Sequence, residues 1–546
     1  MLVQELSFDP RDPVIESDGW QFSFQVVTFE NLYGISQPSI ERADGITVVT
    51  AAGLTRAGGQ HRAGGYVRLA LARTDDGVAT YIEAGAPAVI RCTKLIVRGL
   101  PEGELLGNRW TRSRLPEGGT TVHYPATTHT PLIFLAQANG TYIYFESLDD
   151  HVRAKRFTVV RRDDGIAVEL IHEDAATAMG RETAVPSWRI GRTRNPAAIA
   201  ARHGADAAKA FGLQPWERRA DVPGWAREIS LVAAIHGMHW TGYTFNSYDG
   251  MRDVVDYIAD RIDGRRVLAF LPGWEGRYYW QYGDYRPEPL LGGADAFARL
   301  AQRARERGVY LMPMFGANCA NRALAGFDEW GAPAEMRSPS GLVWQGNRPD
   351  WDTSRAHDPG WQAWLNPGAP SWRERLIEQV SGLVRTYDLP AVFFDTTHVW
   401  VNDPQHDVYA GLVAIRDELK SRFPNLLVTG EGWYDALGAV TPVSHSPSHL
   451  PQGWPTMFSR YNRGFLHLAT GDPSRGSTGV HEQGYVPYDE TPPREAYLWP
   501  TITFVDGTLE HARAGVDAAI ARAATRVSSQ LRRKGRRDSF GSSRRR

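Results

Sequence analysis

The chain has 546 residues, 42% of them hydrophobic and 23% charged, with 61 Lys+Arg against 62 Asp+Glu. A formal net charge of −1 gives no general attraction to nucleic acid or to an anionic membrane surface, and there is no apolar run of the ~18 residues or more that a membrane helix needs. At roughly 100–200 residues per domain, the length admits about three to five domains or one large barrel with attachments. The N-terminus, MLVQELSFDPRDP, has no basic start followed by an apolar run. Two cysteines, Cys92 and Cys319, make no disulfide framework. Both features are those expected of a cytoplasmic protein.

Residues 1–185 read as an antiparallel β-sandwich. Asp44-Gly45, Asp76-Gly77, Asn139-Gly140 and Asp164-Gly165 each precede a strand-like run, and such pairs supply the positive φ of tight hairpins. The flanking runs GITVV, YVRLALA, VATYIEA, TYIYFES and IAVELIH are rich in β-branched and aromatic residues. Asn195-Pro196 then has the form of a helix start, with Asn as cap and Pro in the first turn. Residues 186–225 are therefore expected to form a helical linker.

From 226 to 515 short apolar strands alternate with amphipathic helices, the pattern of a (β/α)₈ TIM-type barrel. SLVAAIHGMHW leads into MRDVVDYIADRI, RVLAFLPGWEG into DAFARLAQRARERG, and VYLMPMFGAN through a long loop into SWRERLIEQVSGLVRTY. Ser371 and Glu374 have capping-box spacing at the start of that last helix. PAVFFDTTHVW and LLVTGEGWYD supply strands four and five, and PTMFSRYNRGF and YLWPTITFVDG are read as later strands. Residues 516–546 begin as a helix and end in a basic tail, RRKGRRDSFGSSRRR, read as a charged end without catalytic interest.

Barrel enzymes place their reacting groups at the C-terminal ends of the strands. The fourth strand, AVFFD, ends on Asp395, and the fifth, LLVTGE, ends on Glu431. Neighbouring strands lie about 4.8 Å apart, so two inward carboxylates there can approach the roughly 5–5.5 Å separation of a retaining glycosidase pair. One acid, ionised, attacks the anomeric carbon; the other, kept protonated, donates to the leaving oxygen and later activates water. Two acids in one crevice push each other's pKa values apart, which separates the roles.

The motifs VFFDTTHVW and VTGEGWYD resemble the α-amylase-like barrel superfamily, and within it are most similar to endo-α-N-acetylgalactosaminidase-like catalytic domains. That resemblance, which extends to the N-terminal sandwich and to NPGAPSWRERL, implies that Asp395 is the nucleophile and Glu431 the acid/base of a retaining reaction on an α-linked glycoside. It implies a carbohydrate substrate, no cofactor and no metal. The superfamily often carries a third acid, as His-Asp, after the seventh strand; Asp506 in TITFVDG is the nearest candidate, although it follows the last strand. The α-galactosidase-like relatives place their acid/base after the sixth strand, where FSRYNRGFLHL offers no acid before Asp472.

Position suggests the remaining pocket residues. His239 and Trp240 end the first strand, Trp274 and Glu275 the second, and Asn318 and Asn321 follow the third. His398 and Trp400 follow Asp395, and Trp433 and Tyr434 follow Glu431. Aromatic faces and polar edges suit sugar rings, though each tryptophan could equally be loop packing, the histidines structural, and Glu275 a third carboxylate or a rim acid. The long loop 321–366, with Trp330, Trp344, Trp351, Trp361 and Trp364, is expected to wall the pocket or else to form a small core of its own. SHSPSH, with His445 and His449, is read as a solvated loop in preference to a metal site. HExxH, paired CxxC and GxxxxGK[ST] motifs are absent from the sequence. Rival readings are a carbohydrate-binding barrel that has lost its chemistry and a transglycosidase using the same two acids.

Overall fold

The computed structural model describes residues 13–525 other than 18, 107–111, 240–241, 278, 345–360, 446–454 and 466–496. The N-terminal part is two antiparallel sheets packed face to face. One runs in the order 120–124, 155–162, 165–172, 90–100, 20–28, 32–35, 54–56, 61–63; the other is centred on 142–147, 188–193, 77–85 and 66–73. Alternation along each strand sends one face inward. Phe22, Phe24, Leu95 and Val168 of the first sheet meet Leu69, Leu71, Phe145 and Trp188 of the second in a single core, with Phe157 edge-on to Trp188 at 5.7 Å. All four hairpins foreseen from Gly-containing turns are present: 39–43 with 46–51, 66–73 with 77–85, 132–136 with 142–147, and 155–162 with 165–172. In three of them the turn glycine, Gly45, Gly140 or Gly165, has positive φ.

The second part is a parallel barrel of strands β1 (Leu231–Ile235), β2 (Val267–Leu271), β3 (Tyr310–Gly316), β4 (Ala391–Asp395), β5 (Leu427–Glu431), β6 (Val443–His445) and β7 (Arg463–Phe465). Two short runs, β8 (Leu498–Trp499) and β9 (Thr501–Phe504), close it. β8 pairs with β7, and β9 pairs with β1. Pro500 lies between them, its carbonyl accepting from Val232 N at 2.8 Å. Its wall is apolar because both faces are covered; every residue of β1, β2 and β4 is buried. Phe270, Phe393, His445 and Phe465 fill the interior, with ring centroids 4.7 to 6.2 Å apart.

Helix α1 (Pro196–Ala210) is capped as expected, Asn195 accepting from Ala198 N. It wedges between the two parts. Ile199 and Ala200 pack on Leu132, Phe134 and Tyr144 of the sandwich, while Ala207 packs with Trp433, Met457 and Phe458 of the barrel. The outer barrel helices include α2 (Tyr248–Ala259), α3 (Gly293–Glu306), α4 (Pro370–Tyr387) and α5 (Val408–Arg422). Among the described residues no helix is long and apolar enough to cross a membrane. Cys92 and Cys319 are buried without a disulfide.

Three local expectations need correction. The capping box at Ser371 is absent: α4 begins at Pro370 after Ala369, with no side-chain cap, since proline already fixes the first-turn φ. PTMFSRY is a helix, Pro455–Tyr461, rather than a strand; Met457, Phe458 and Tyr461 have helical spacing and are buried against the α1 seam. His445 is no solvated loop residue. It ends β6, is 1% exposed and stands inside the barrel; His449 lies outside the described residues.

Candidate active site

Strands β4 and β5 pair in parallel with Phe394 opposite Gly430, so Asp395 and Glu431 stand side by side at the mouth. Each lies two residues beyond an interior residue, Phe393 or Thr429, and therefore shares its inward direction. Asp395 is 2% exposed, and the Glu431 side chain 19%.

The turn after β4 is built around these acids. Thr396 has φ +64°, the left-handed region that costs a β-branched residue roughly 1–2 kcal/mol. In that conformation its N–H donates to Glu431 Oε2 at 3.0 Å, and its hydroxyl donates to the Asp395 carbonyl at 2.6 Å. Thr397 donates its hydroxyl to the Glu431 carbonyl at 2.6 Å. Strain held by such bonds is typical of working sites. On the β5 side Gly432 has φ +69°, and a Cβ there would sit 2.4 Å from His398 Cβ, so glycine is required twice over. His398 Nδ1 lies 3.4 Å from Glu431 Oε2.

A residue not foreseen completes the grip on Asp395. Tyr282, fully buried in the loop after β2, donates its hydroxyl to Asp395 Oδ2 at 2.8 Å. Its ring crosses Gly316 at the end of β3, where a Cβ would come within 2.2 Å of the ring. The only sequence signal was the tyrosine-rich run GRYYWQYGDY, which does not say which ring turns inward.

Burial raises the Glu431 carboxyl above the usual range, and its contacts with Asp395 and with the Thr396 N–H offset this in part. Glu275 goes further. It is 0% exposed, and its oxygens have no partner among the described residues other than its own backbone amide. Burial pushes it well above the carboxylate range, and the charges of Asp395 and Glu288 add to the effect. Burial holds the His398 imidazole below its ordinary value against the pull of Asp395.

The other candidates divide. His239 is buried, with its N–H on the Tyr243 carbonyl at 2.7 Å and its ring edge-on to Phe245. Asp506, just past β9, accepts from the Tyr243 hydroxyl at 2.5 Å. Asn318 donates its side-chain amide to the Val399 carbonyl at 2.7 Å and its backbone N–H to Thr396 Oγ1, which ties down the β4 loop. Trp400 is half-buried against the barrel core. Two tryptophans are not pocket residues. Trp274 is fully buried in the wall, its indole N–H on the Met314 carbonyl and its ring against Phe297 and Phe315. Trp433 packs on His129 and Phe458 at the seam with the sandwich. Sequence position placed both just past a strand end, but the loop path turns each ring away from the mouth. Trp240 lies outside the described residues. In the 321–366 loop, Trp330 stacks on Trp372, and Trp344 meets Trp364, the packing of a small core. Trp351 lies outside the described residues.

Residues 446–454, which follow β6, read SPSHLPQGW and contain no acid, so the absence of a carboxylate after the sixth strand holds with the corrected strand. Among the described residues the one group of side chains close enough to share a metal is Asp149, Asp150 and His151. It is remote in sequence from the barrel acids, and Asp149 is already paired with Arg153 and Lys155.

The sequence matches no protein-family model and no curated protein. Solved structures do match the fold. The ligand-free α-N-acetylgalactosaminidase of Bifidobacterium bifidum superposes with a TM-score of 0.61 at 15% identity, over 86% of this chain and 85% of that one. Its GalNAc complex gives 0.62 at 12%, over 84% and 83%. A GH36 α-galactosidase of Geobacillus stearothermophilus gives 0.52 at 13%, over 93% and 75%. At these identities the likeness is one of fold, a sandwich followed by a barrel. The neighbours correct the resemblance read from the motifs: they are not amylase-like enzymes or endo-acting galactosaminidases.

Proposed function

We propose that this chain is a glycoside hydrolase of α-linked sugars, acting by retaining double displacement with Asp395 as nucleophile and Glu431 as acid/base. The observation that carries the reading is the placement of a buried Asp395 and a partly buried Glu431 side by side on adjoining strand ends, in unlike settings. The Tyr282 hydroxyl donates to one Asp395 oxygen at 2.8 Å and so fixes the direction of the carboxylate that would attack the anomeric carbon. Burial favours the protonated form of Glu431, as a general acid requires. The two acids end paired neighbouring strands, about 4.8 Å apart, a spacing nearer the roughly 5–5.5 Å of a retaining pair than the roughly 6.5–9.5 Å of an inverting pair. Burial favours the protonated form of Glu275, which would offer one donor and one acceptor to sugar hydroxyls. Galactosides and N-acetylgalactosaminides are the first substrates to try, because the fold neighbours act on these sugars by name.

The test uses aryl α- and β-glycosides with wild type, Asp395→Asn and Glu431→Gln. Wild type should release the α-linked aryl group, and NMR should show the α-anomer first. Asp395→Asn should be folded and inactive. Glu431→Gln should lose about 10²–10⁴-fold on poor leaving groups and much less on an activated phenol that needs no protonation, with azide restoring turnover. Near-normal activity in Asp395→Asn would overturn the assignment.

A further inference from the structure

Glu431 sits at one end of a short loop whose other end is Asp435. Asp435 is 1% exposed, and besides the Ala436 N–H at 2.7 Å its carboxylate is held from outside the barrel. Its carboxylate accepts from the Tyr124 hydroxyl at 2.6 Å and the Thr130 hydroxyl at 2.8 Å, and its N–H donates to the His129 carbonyl at 2.8 Å. All three belong to the sandwich segment 123–131.

The contact continues into the linker. Thr130 has one hydroxyl proton, given to Asp435, so it accepts from His203 Nε2–H at 2.6 Å. His203 lies on α1, with Nδ1 3.3 Å from Glu146 Oε2. Glu146 is fully buried and is anchored in turn by Arg189 and Arg202. A line of buried polar contacts therefore runs from a charged cluster on the sandwich, through α1, to the loop that carries Glu431. Buried polar networks fix geometry where apolar packing would slide. A barrel loop with glycine at its first position has little stiffness of its own.

We propose that Asp435, Thr130 and His203 are positioning residues through which the sandwich and linker helix set the acid/base loop of the barrel. The sandwich would then complete the site rather than accompany it. This rests on the reading of Glu431 given above.

The experiment compares full-length Thr130→Val, Thr130→Ser and Tyr124→Phe with wild type by hydrogen exchange and by kinetics. Thr130→Val keeps the shape and removes the bridging hydroxyl. It should raise exchange in peptides covering 430–438 and leave β1–β3 peptides unchanged. It should also lower kcat about 10- to 100-fold, the range for a displacement of about 1 Å at a reacting group, with KM within about twofold of wild type. Tyr124→Phe should do the same to a lesser degree, and Thr130→Ser should restore both readouts. The proposal is overturned if exchange at 430–438 is unchanged in Thr130→Val, if it rises uniformly along the chain, or if serine fails to rescue. Failure of the wild type to cleave any glycoside would count against the glycosidase reading alone, since the exchange measurement decides the coupling without substrate.

Discussion

Replacing Glu275 by Gln tests whether the barrel mouth holds a neutral, dry carboxyl. Burial raises its pKa in the fold, with Asp395 and Glu288 adding to the shift. Between the ordinary Glu value of about 4.3 and the raised folded value, the unfolded chain has lost this proton and the native chain keeps it. The native state then binds one more proton, so wild-type stability falls as pH rises, at about 1.4 kcal/mol per pH unit for a single group. The stability is fully present below the unfolded value and lost on the way up through the folded one. Glutamine cannot ionise, so Glu275→Gln lacks this slope. Its own buried amide adds a constant offset that does not depend on pH. The stability difference, mutant minus wild type, should therefore climb by ~2.7 kcal/mol over two pH units within the window. Chemical or thermal unfolding of both proteins at half-unit steps from about pH 5 to 8 reads this directly, because the other titrating groups cancel in the difference. Parallel curves would show that Glu275 ionises as freely in the fold as in the unfolded chain, and the dry-pocket reasoning would fail. A difference that fell with pH would mean a cationic partner.

Two further substitutions probe the grip on the acid pair. Tyr282→Phe removes the hydroxyl on Asp395 without changing ring packing; a hydrogen bond to a charged group is worth about 1.5–3 kcal/mol, and kcat/KM should fall by about tenfold or more while the melting temperature stays within a few degrees. Wild-type kinetics in that variant would remove Tyr282 from the site. Gly432→Ala forces a side chain into left-handed backbone and onto His398. It should cost at least ~1–2 kcal/mol of stability and depress kcat through the displaced Glu431, and an unchanged melt would contradict the geometry.

The parts of this molecule that were legible in advance are those written in local chemistry. Asp-Gly and Asn-Gly turns marked sandwich hairpins, Asn195-Pro196 marked α1, and apolar runs ending in Asp395 and Glu431 marked two adjacent barrel strands. The later barrel was not legible because β6 is only Val443–His445, two of its three residues polar, and its histidine packs among phenylalanines that come from distant strands. Tyr282 was one tyrosine among several in a single loop. Trp274 and Trp433 followed strand ends just as the acids did, and only the backbone path sends them into the wall and the domain seam. The same limit hid Asp435, whose partners Tyr124 and Thr130 lie more than 300 residues earlier in the chain.

The sandwich and the barrel mouth treat their acids in opposite ways, and the contrast bears on function. In the sandwich, Asp149 is paired with Arg153 and Lys155, Glu173 with Arg91 and Arg156, and Glu146 with Arg189 and Arg202. Each acid is met by two cations, as buried charge must be paired; Lys155 and Arg153 hold Asp149 well below the carboxylate range, and His203, with Arg189 and Arg202, holds Glu146 below it. At the barrel mouth Glu431 has a backbone N–H, a neighbouring carboxyl and the His398 imidazole for company, and among the described residues Glu275 has only its own amide. Both are pushed upward instead. A fold that supplies arginine to buried acids in the sandwich but, among the described residues, sets none on Glu431 or Glu275 bears a stability cost at the mouth. That cost is intelligible if the site works on a sugar whose transition state gathers positive charge. A fixed guanidinium beside these acids would oppose that charge and would hold Glu431 ionised when it must donate a proton. On the proposed roles, the lack of a cation beside these acids among the described residues is the electrostatic counterpart of the left-handed Thr396: each disfavours the resting fold, and each would keep Glu431 in the state and direction that proton transfer needs.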